Sequence, residues 1–178
     1  MTQFLAHPSA GNLAVLVARL WLGGMMFAHG YRHLKSIRTG PGMANWFTSL
    51  GLRNGPLQAM NVTYTELLFG AMVVLGLLTP LAYGACASIV FVAVVTNHWR
   101  NGFFINNPGE GYEYVATIGV LSTVFAMLGP GNWSLDHVVG LGFPFEPWLS
   151  LVVALAAGVG GTAVFLGIFW RPNAQRQG

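Results

Sequence analysis

The residues of this sequence that could do chemistry are a few ionisable side chains in apolar surroundings. Arg19 and Glu66 each lie near the middle of a long apolar stretch. A charged group within a membrane span costs roughly 2.5–3.5 kcal/mol on insertion scales, which makes it a functional candidate by default. Because either charge alone would be uncompensated, we predict that Arg19 and Glu66 form a buried pair. The pair would either fix the register of two helices or polarise a ligand held between them.

A second group of polar side chains lies near the ends of the apolar stretches. His29 ends the first stretch, His98 ends the third, and Glu113 begins the fourth. Histidine and glutamate can exchange protons with a quinone head group, whose reduction requires protons as well as electrons. These three residues are therefore the predicted catalytic candidates. The predicted ligand-binding residues, which include the charged pair, are Arg19, Glu66, Asn101 and Tyr112.

The same side chains leave other chemistries open. His33 follows His29 at i+4, so both lie on one face of a helix. Together with His98 and Glu113 they could offer nitrogen and oxygen donors to a metal ion. Two histidines from facing helices could instead ligate a b-type haem. We expect neither group, because this histidine spacing alone is a weak signal; the simpler alternative is that these side chains meet lipid head groups and water.

Composition determines which solvent surrounds these residues. Of the 178 residues, 54% are hydrophobic and only 7% are charged, whereas a soluble domain usually carries about 25% charged residues. The sequence therefore predicts a protein that contacts the lipid bilayer. The net charge of +3 does not indicate nucleic-acid binding, because the basic residues sit in short gaps between apolar runs. Cys86 is the single cysteine, so disulfides, iron–sulfur clusters and c-type haem have no support.

Five apolar stretches approach the roughly 20 residues that a membrane span needs. They cover about residues 11–30, 57–78, 81–99, 112–128 and 148–170. A short amphipathic helix at the interface is expected over 43–50. The sequence predicts an all-α integral membrane fold: a four-helix bundle over residues 1–147, an additional transmembrane helix over 148–171, and a cytoplasmic tail over 172–178.

The basic residues between the spans are distributed unevenly. With five spans, one side of the membrane receives Arg32, Lys35, Arg38, Arg53, Arg100, Arg171 and Arg176. The opposite side receives only Asp136 and Glu146 as charges. Because cytoplasmic loops carry an excess of lysine and arginine, the N-terminus is predicted outside and the C-terminus in the cytoplasm. The predicted location is the inner membrane of a bacterial cell.

Several short blocks, in a fixed order, resemble the DoxX family of small bacterial membrane proteins. The family is related to the membrane subunit of thiosulfate:quinone oxidoreductase. The resemblance covers about Ala14 to Asp136, and its blocks are Arg19 with Gly23-Gly24, His29-Gly30 and Lys35; Trp46-Phe47 and Leu50-Gly51-Leu52; Glu66-Leu67 and Gly76-Leu77-Leu78-Thr79-Pro80; Asn101-Gly102-Phe103-Phe104 and Gly111-Tyr112-Glu113-Tyr114; and Gly129-Pro130-Gly131 with Ser134-Leu135-Asp136. It implies a four-helix membrane fold and an association with redox chemistry.

The fifth span departs from this family pattern. It carries small residues four apart, at Ala154 and Gly158 and at Ala157 and Gly161. Small residues let helix backbones approach closely, so this face would dock onto another protein or pack against the protein's own bundle.

Two functions follow as hypotheses. The first is a redox-associated membrane subunit, an oxidoreductase component with a quinone- or small-molecule-binding site inside the bundle and no evident redox cofactor of its own. The second is a non-catalytic accessory or scaffold subunit that docks on a larger respiratory or photosynthetic membrane complex. Expected partners are other membrane protein subunits or further copies of this chain. A transporter is a weaker hypothesis, because no inverted repeat is evident.

Overall fold

The computed structural model describes residues 8–141 and 146–172, and these residues form a bundle of helices. The elements in chain order are α1 (Pro8–Thr39), α2 (Gly42–Ser49), α3 (Gly55–Leu75), α4 (Thr79–Ala93) with a π turn (Val94–His98) and a 3-10 turn (Trp99–Asn101), α5 (Glu113–Met127), α6 (Leu135–Val138), and α7 (Pro147–Leu155) joined by a second π turn (Ala156–Gly160) to α8 (Gly161–Phe169).

Three helical segments of the described chain are long and apolar enough to cross a membrane: Ser9–Thr39, Thr79–Asn101 and Pro147–Phe169. Glu113–Met127 is a shorter apolar helix. Helix α3 is 21 residues long, but polar residues in its first half make it less apolar. Large side chains such as Trp21 and Val164 are 75% and 63% exposed, as expected of surfaces that face acyl chains. The predicted all-α, multi-pass membrane fold is confirmed.

Helices α1 and α3 form a closely packed antiparallel pair. A Cβ atom added to Gly23 would lie 2.7 Å from the carbonyl oxygen of Gly70, and one added to Gly30 would lie 2.8 Å from the amide nitrogen of Leu67. Glycine at these positions therefore lets the two backbones touch. The pairing sets the register, with Gly23 opposite Gly70 and Gly30 opposite Leu67.

The last transmembrane helix packs against α4 through its small residues. A Cβ on Gly84 would lie 2.7 Å from the carbonyl oxygen of Ala154, and one on Gly158 would lie 3.3 Å from Cβ of Ala87. The hydroxyl oxygens of Ser88 and Thr162 are 3.3 Å apart across the same contact. Of the two predicted uses of this face, the structure shows packing within the bundle.

Helix α1 is longer than the sequence pattern predicted. It continues to Thr39 rather than ending near Gly30, because no proline or further glycine interrupts it before Gly40, whose φ is 155°. His29 therefore lies inside the helix rather than at its end. The short helix expected over 43–50 is present as α2, Gly42–Ser49.

The chain end and the segment after α2 are joined by hydrogen bonds. The Arg53 amide donates to the Phe169 carbonyl at 2.8 Å, and the Arg171 amide donates to Gly51 at 2.8 Å. The Trp170 indole donates to the Leu50 carbonyl at 2.9 Å. These bonds hold the start of α3 and the end of α8 at one end of the bundle. We call it the basic end, after Arg32, Lys35, Arg38, Arg53, Arg100 and Arg171.

Candidate functional site

A cavity of about 650 Å³ lies inside the bundle towards the basic end. Its walls come from α1, α2, α3, α4 and its π turn, α5 and the last transmembrane helix. Most of the lining is apolar, for example Met26, Phe69, Ile118 and Phe165. A mostly apolar cavity with a few placed polar groups is the usual form of a small-molecule site.

His33 and Glu66 form an ionic contact in the wall of this cavity. Nδ1 of His33 lies 2.8 Å from Oε2 of Glu66. The alignment does not meet the directional requirement of a hydrogen bond, and the contact is an ion pair when the histidine is protonated. Glu66 is only 6% exposed, and a lone carboxylate there would be costly. The pair places an imidazole and a carboxylate together in the cavity wall.

The close packing of α1 on α3 positions this pair. A Cβ on Gly30 would lie 3.0 Å from Cβ of Glu66, so α1 passes directly over the glutamate. His33 comes three residues later and lies on the same helical face. His29, one turn before His33, also lines the cavity, and the two imidazole centroids are 6.5 Å apart.

His98 reaches the cavity from the opposite wall, at the end of the π turn. Nδ1 lies 2.9 Å from the carbonyl oxygen of Glu110, and Nε2 lies 3.3 Å from Nδ2 of Asn97. A carbonyl oxygen only accepts and an amide nitrogen only donates. Neutral His98 therefore carries its proton on Nδ1 and accepts at Nε2. The π turn places Thr96, Asn97 and His98 together at the lining, and such turns are frequent at functional sites.

Further polar side chains of α3 complete the wall beside Glu66. Gln58, Asn61 and Thr65 line the cavity, and the amide of Gln58 donates to the Arg53 carbonyl at 3.1 Å. We did not predict these residues. Gln58, Asn61 and Thr65 follow one another at intervals of three and four residues, and Glu66 comes eight residues after Gln58. This spacing is the signal that would have placed them on one helical face.

Three predicted site residues shape the loop before α5 and do not line the cavity. Asn101 donates through Nδ2 to the carbonyls of Gly109 and Glu110, at 2.6 and 3.0 Å. Tyr112 stacks on Trp99, with ring centroids 5.0 Å apart. The Glu113 carboxylate accepts from the Ile105 amide at 3.2 Å. The cavity-facing residues of this segment are Ile105, Glu110, Gly111 and Tyr114.

The predicted pair between Arg19 and Glu66 is wrong. In the register of α1 on α3, Glu66 lies beside Gly30, whereas Arg19 lies beside Gly76. The two charges are therefore about ten residues apart along the pair, or about 15 Å at 1.5 Å per residue. Both were expected near the centre of their spans, but α1 begins at Pro8 and carries Arg19 towards the end opposite the cavity.

Arg19 has its own polar surroundings at that opposite end. The side chain is 1% exposed, and Nη2 donates to the Trp133 carbonyl. The guanidinium attracts the carboxylate of Asp136, which is itself 4% exposed. Asp136 accepts from the amides of Leu78 and Thr79, at 2.8 and 3.0 Å. This cluster caps the start of α4 and fastens the segment after α5 to the bundle.

The four residues considered for a metal are not brought together as a set. Glu113 binds the Ile105 amide, and His33 is engaged with Glu66. Within the described residues, no three side chains of histidine, cysteine, aspartate or glutamate are grouped as a metal ion would need.

The helices and this interior cavity define an all-α, multi-pass membrane protein. Residues 14–99 match the model of the DoxX family, which confirms over this part of the chain the resemblance predicted from the sequence. The matched segment runs from α1 to Trp99, directly after the π turn, and contains His33, Glu66 and His98. No curated protein and no solved structure matches the chain.

Proposed function

We propose that this protein is a redox-associated membrane subunit that binds a quinone, or a small molecule of similar shape, in the cavity at the basic end. The observation that carries the proposal is the His33–Glu66 contact in the wall of a largely apolar cavity. An apolar chamber suits a ring that partitions into lipid, and the ion pair offers a proton donor where the ring's carbonyl oxygens would lie.

The chemistry requires both electrons and protons. A quinone takes up two electrons and two protons to become a quinol. His33, with Glu66 as its counter-ion, and His98 on the facing wall are the groups proposed to exchange these protons. His29 is the third candidate, since it lines the same chamber. Electrons would come from a partner subunit, because the sequence offers no cysteine set for an iron–sulfur cluster or c-type haem.

We also propose the orientation and location of the chain. The basic end would face the cytoplasm in a bacterial inner membrane, with the N-terminus outside, because lysine and arginine concentrate in cytoplasmic loops. The proposed proton-exchanging groups would then open towards the cytoplasmic side.

The accessory-subunit hypothesis now has a different basis. The sequence predicted docking through the small residues of the last span, but those residues contact Gly84 and Ala87 of α4. Docking would have to use the lipid-facing side instead, where Val152, Val159 and Val164 are exposed. No contact on that side favours a particular partner, so the cavity carries the proposal.

Ligand binding by the reconstituted protein tests the proposal. Protein in lipid nanodiscs is titrated with a quinone analogue while tryptophan fluorescence is followed, since Trp46 lines the cavity. Glu66→Gln should weaken binding by about tenfold, because hydrogen bonds to charged groups contribute roughly 1.5–3 kcal/mol. Glu146→Gln is the matched control, since Glu146 is exposed and outside the cavity. Absence of saturable binding by the unaltered protein would overturn the proposal.

A further inference from the structure

We infer that the cavity opens sideways into the bilayer between α1 and α5, and that its ligand extends a long apolar tail through this opening. This inference rests on the proposed function and adds to it the chemical class of the ligand: a polar ring joined to an isoprenoid or alkyl chain. We call the opening the lateral seam and define it by Met25, His29 and Arg32 on α1 and by Glu110 and Tyr114 at the start of α5.

Exposure of the lining residues shows where the cavity meets its surroundings. Seven residues that line the cavity are exposed: His29, Arg32, Trp46, Asn61, Ile105, Glu110 and Tyr114. Of these, His29 and Arg32 on α1 and Glu110 and Tyr114 at the start of α5 border the proposed mouth between the two helices. Met25, His29 and Arg32 follow one another at intervals of four and three residues, which places them on one face of α1. Because α5 begins at the basic end, this face of α1 runs alongside the first turn of α5 and the loop before it.

The other side of the bundle is fastened at the same level. There, Gly51 and Arg53 exchange backbone hydrogen bonds with Arg171 and Phe169, both at 2.8 Å, and Trp170 binds the Leu50 carbonyl. Backbone bonds of this kind do not open without local unfolding. Contacts between α1 and α5 are sparse by comparison with those between α1 and α3. Separating α1 from α5 at the lateral seam therefore breaks fewer interactions than opening the opposite side of the cavity.

A side-chain contact bridges the lateral seam. The hydroxyl of Tyr114 donates to Sδ of Met25 at 2.8 Å. A thioether sulfur is a weak acceptor, and methionine adopts many side-chain conformations, so this contact can open and close readily. Tyr114 is 40% exposed and also lines the cavity, so its side chain borders both the chamber and the outside of the bundle. Tyr114 therefore holds the lateral seam closed through its contact with Met25.

The inference is tested by cross-linking the seam. Met25→Cys and Tyr114→Cys are combined in a Cys86→Ala background and joined with a short bifunctional thiol reagent, in nanodiscs. Each single cysteine treated with the same reagent is the matched control for the added bulk. Two quinones with the same ring are compared, one with an isoprenoid tail and one without a tail. Tyr114→Phe, which lacks the hydroxyl, is measured beside them.

Cross-linking should lower binding of the tailed quinone by about tenfold or more relative to the single-cysteine controls, as expected when a gating contact is held shut. Binding of the tail-free quinone should change by less than about twofold, and Tyr114→Phe should speed uptake of the tailed quinone. Equal binding of the tailed quinone by cross-linked and control proteins would overturn the lateral seam alone. Failure of both quinones to bind the unaltered protein would overturn the proposed function and this inference with it.

Discussion

His33 and Glu66 face each other across the α1–α3 contact, three residues beyond Gly30, with Nδ1 and Oε2 2.8 Å apart. Gly30 makes the contact possible, because a side chain there would press into the backbone of Leu67 and the Cβ of Glu66. The packing of two helices and the charge of the cavity wall thus depend on the same few residues, and both can be tested by substitution.

The coupling between His33 and Glu66 can be measured by a double-mutant cycle. We expect His33→Gln and Glu66→Gln each to lower the free energy of unfolding by about 1–2 kcal/mol, below the usual cost for fully buried pairs because His33 is partly solvent-exposed. The double variant should lose less than the sum of the two, since neither partner is then left charged and unpaired. His137→Gln and Glu146→Gln, both at exposed positions, serve as controls in the same detergent unfolding assay. Strict additivity would contradict the pairing.

Gly30 should be intolerant of alanine, whereas Gly24 on the same helix should accept it. A Cβ at Gly24 meets nothing within 4 Å, but one at Gly30 would lie 2.8 Å from the Leu67 amide nitrogen. We expect Gly30→Ala to lower stability by about 1–3 kcal/mol by overpacking. Gly24→Ala should raise it by about 0.5–1 kcal/mol through helix propensity. Thermal unfolding midpoints of both variants, with quinone titrations, check this. Similar behaviour of the two would indicate a looser α1–α3 contact.

The buried position of Arg19 predicts a specific effect at Gly76. Gly76 has a φ of 65° and Gly129 a φ of 73°, so alanine should be strained at both positions to a similar degree. Only at Gly76 would the new Cβ overlap the Arg19 guanidinium, since nothing lies within 4 Å of a Cβ at Gly129. We expect Gly76→Ala to cost about 1–3 kcal/mol more than Gly129→Ala in free energy of unfolding. Equal losses would mean that Arg19 does not pack there.

Substitution of Glu113 distinguishes a structural role of this residue from a catalytic one. Its carboxylate accepts from the Ile105 amide and does not line the cavity. Glu113→Gln should therefore leave the affinity for a quinone analogue within about twofold of the unaltered protein, while the loop before α5 exchanges its amide hydrogens faster. Glu66→Gln provides the comparison, since it should weaken binding. A large loss of affinity in Glu113→Gln with unchanged hydrogen exchange would restore Glu113 as a site residue.

The residues predicted from the sequence as one site lie in two places in the structure. Of the predicted site residues, His29, Glu66 and His98 line one cavity, whereas Asn101, Tyr112 and Glu113 support a loop beside it. The difference lies in side-chain direction at helix ends, where a loop of a dozen residues can fold back on itself. Hydrophobic periodicity does not describe such a loop.

Asp136 has a structural role that the sequence pattern did not indicate. The sequence assigned it only to the side of the membrane opposite the basic residues, yet it is 4% exposed and caps α4 across more than fifty residues of chain. Its binding partners, the amides of Leu78 and Thr79, carry no sequence signal because every residue except proline has an amide.

The sequence by itself determined the membrane environment, the all-α fold and the approximate positions of the spans, because hydrocarbon penalises charge and unpaired backbone groups along the whole chain. Which charges meet was decided only by the tertiary structure. The glycines of α1 and α3 set a register that places Glu66 beside His33 and carries Arg19 to the opposite end of the bundle. A shift of a few residues between two helices is invisible to composition, but at 1.5 Å per residue it decides every partner.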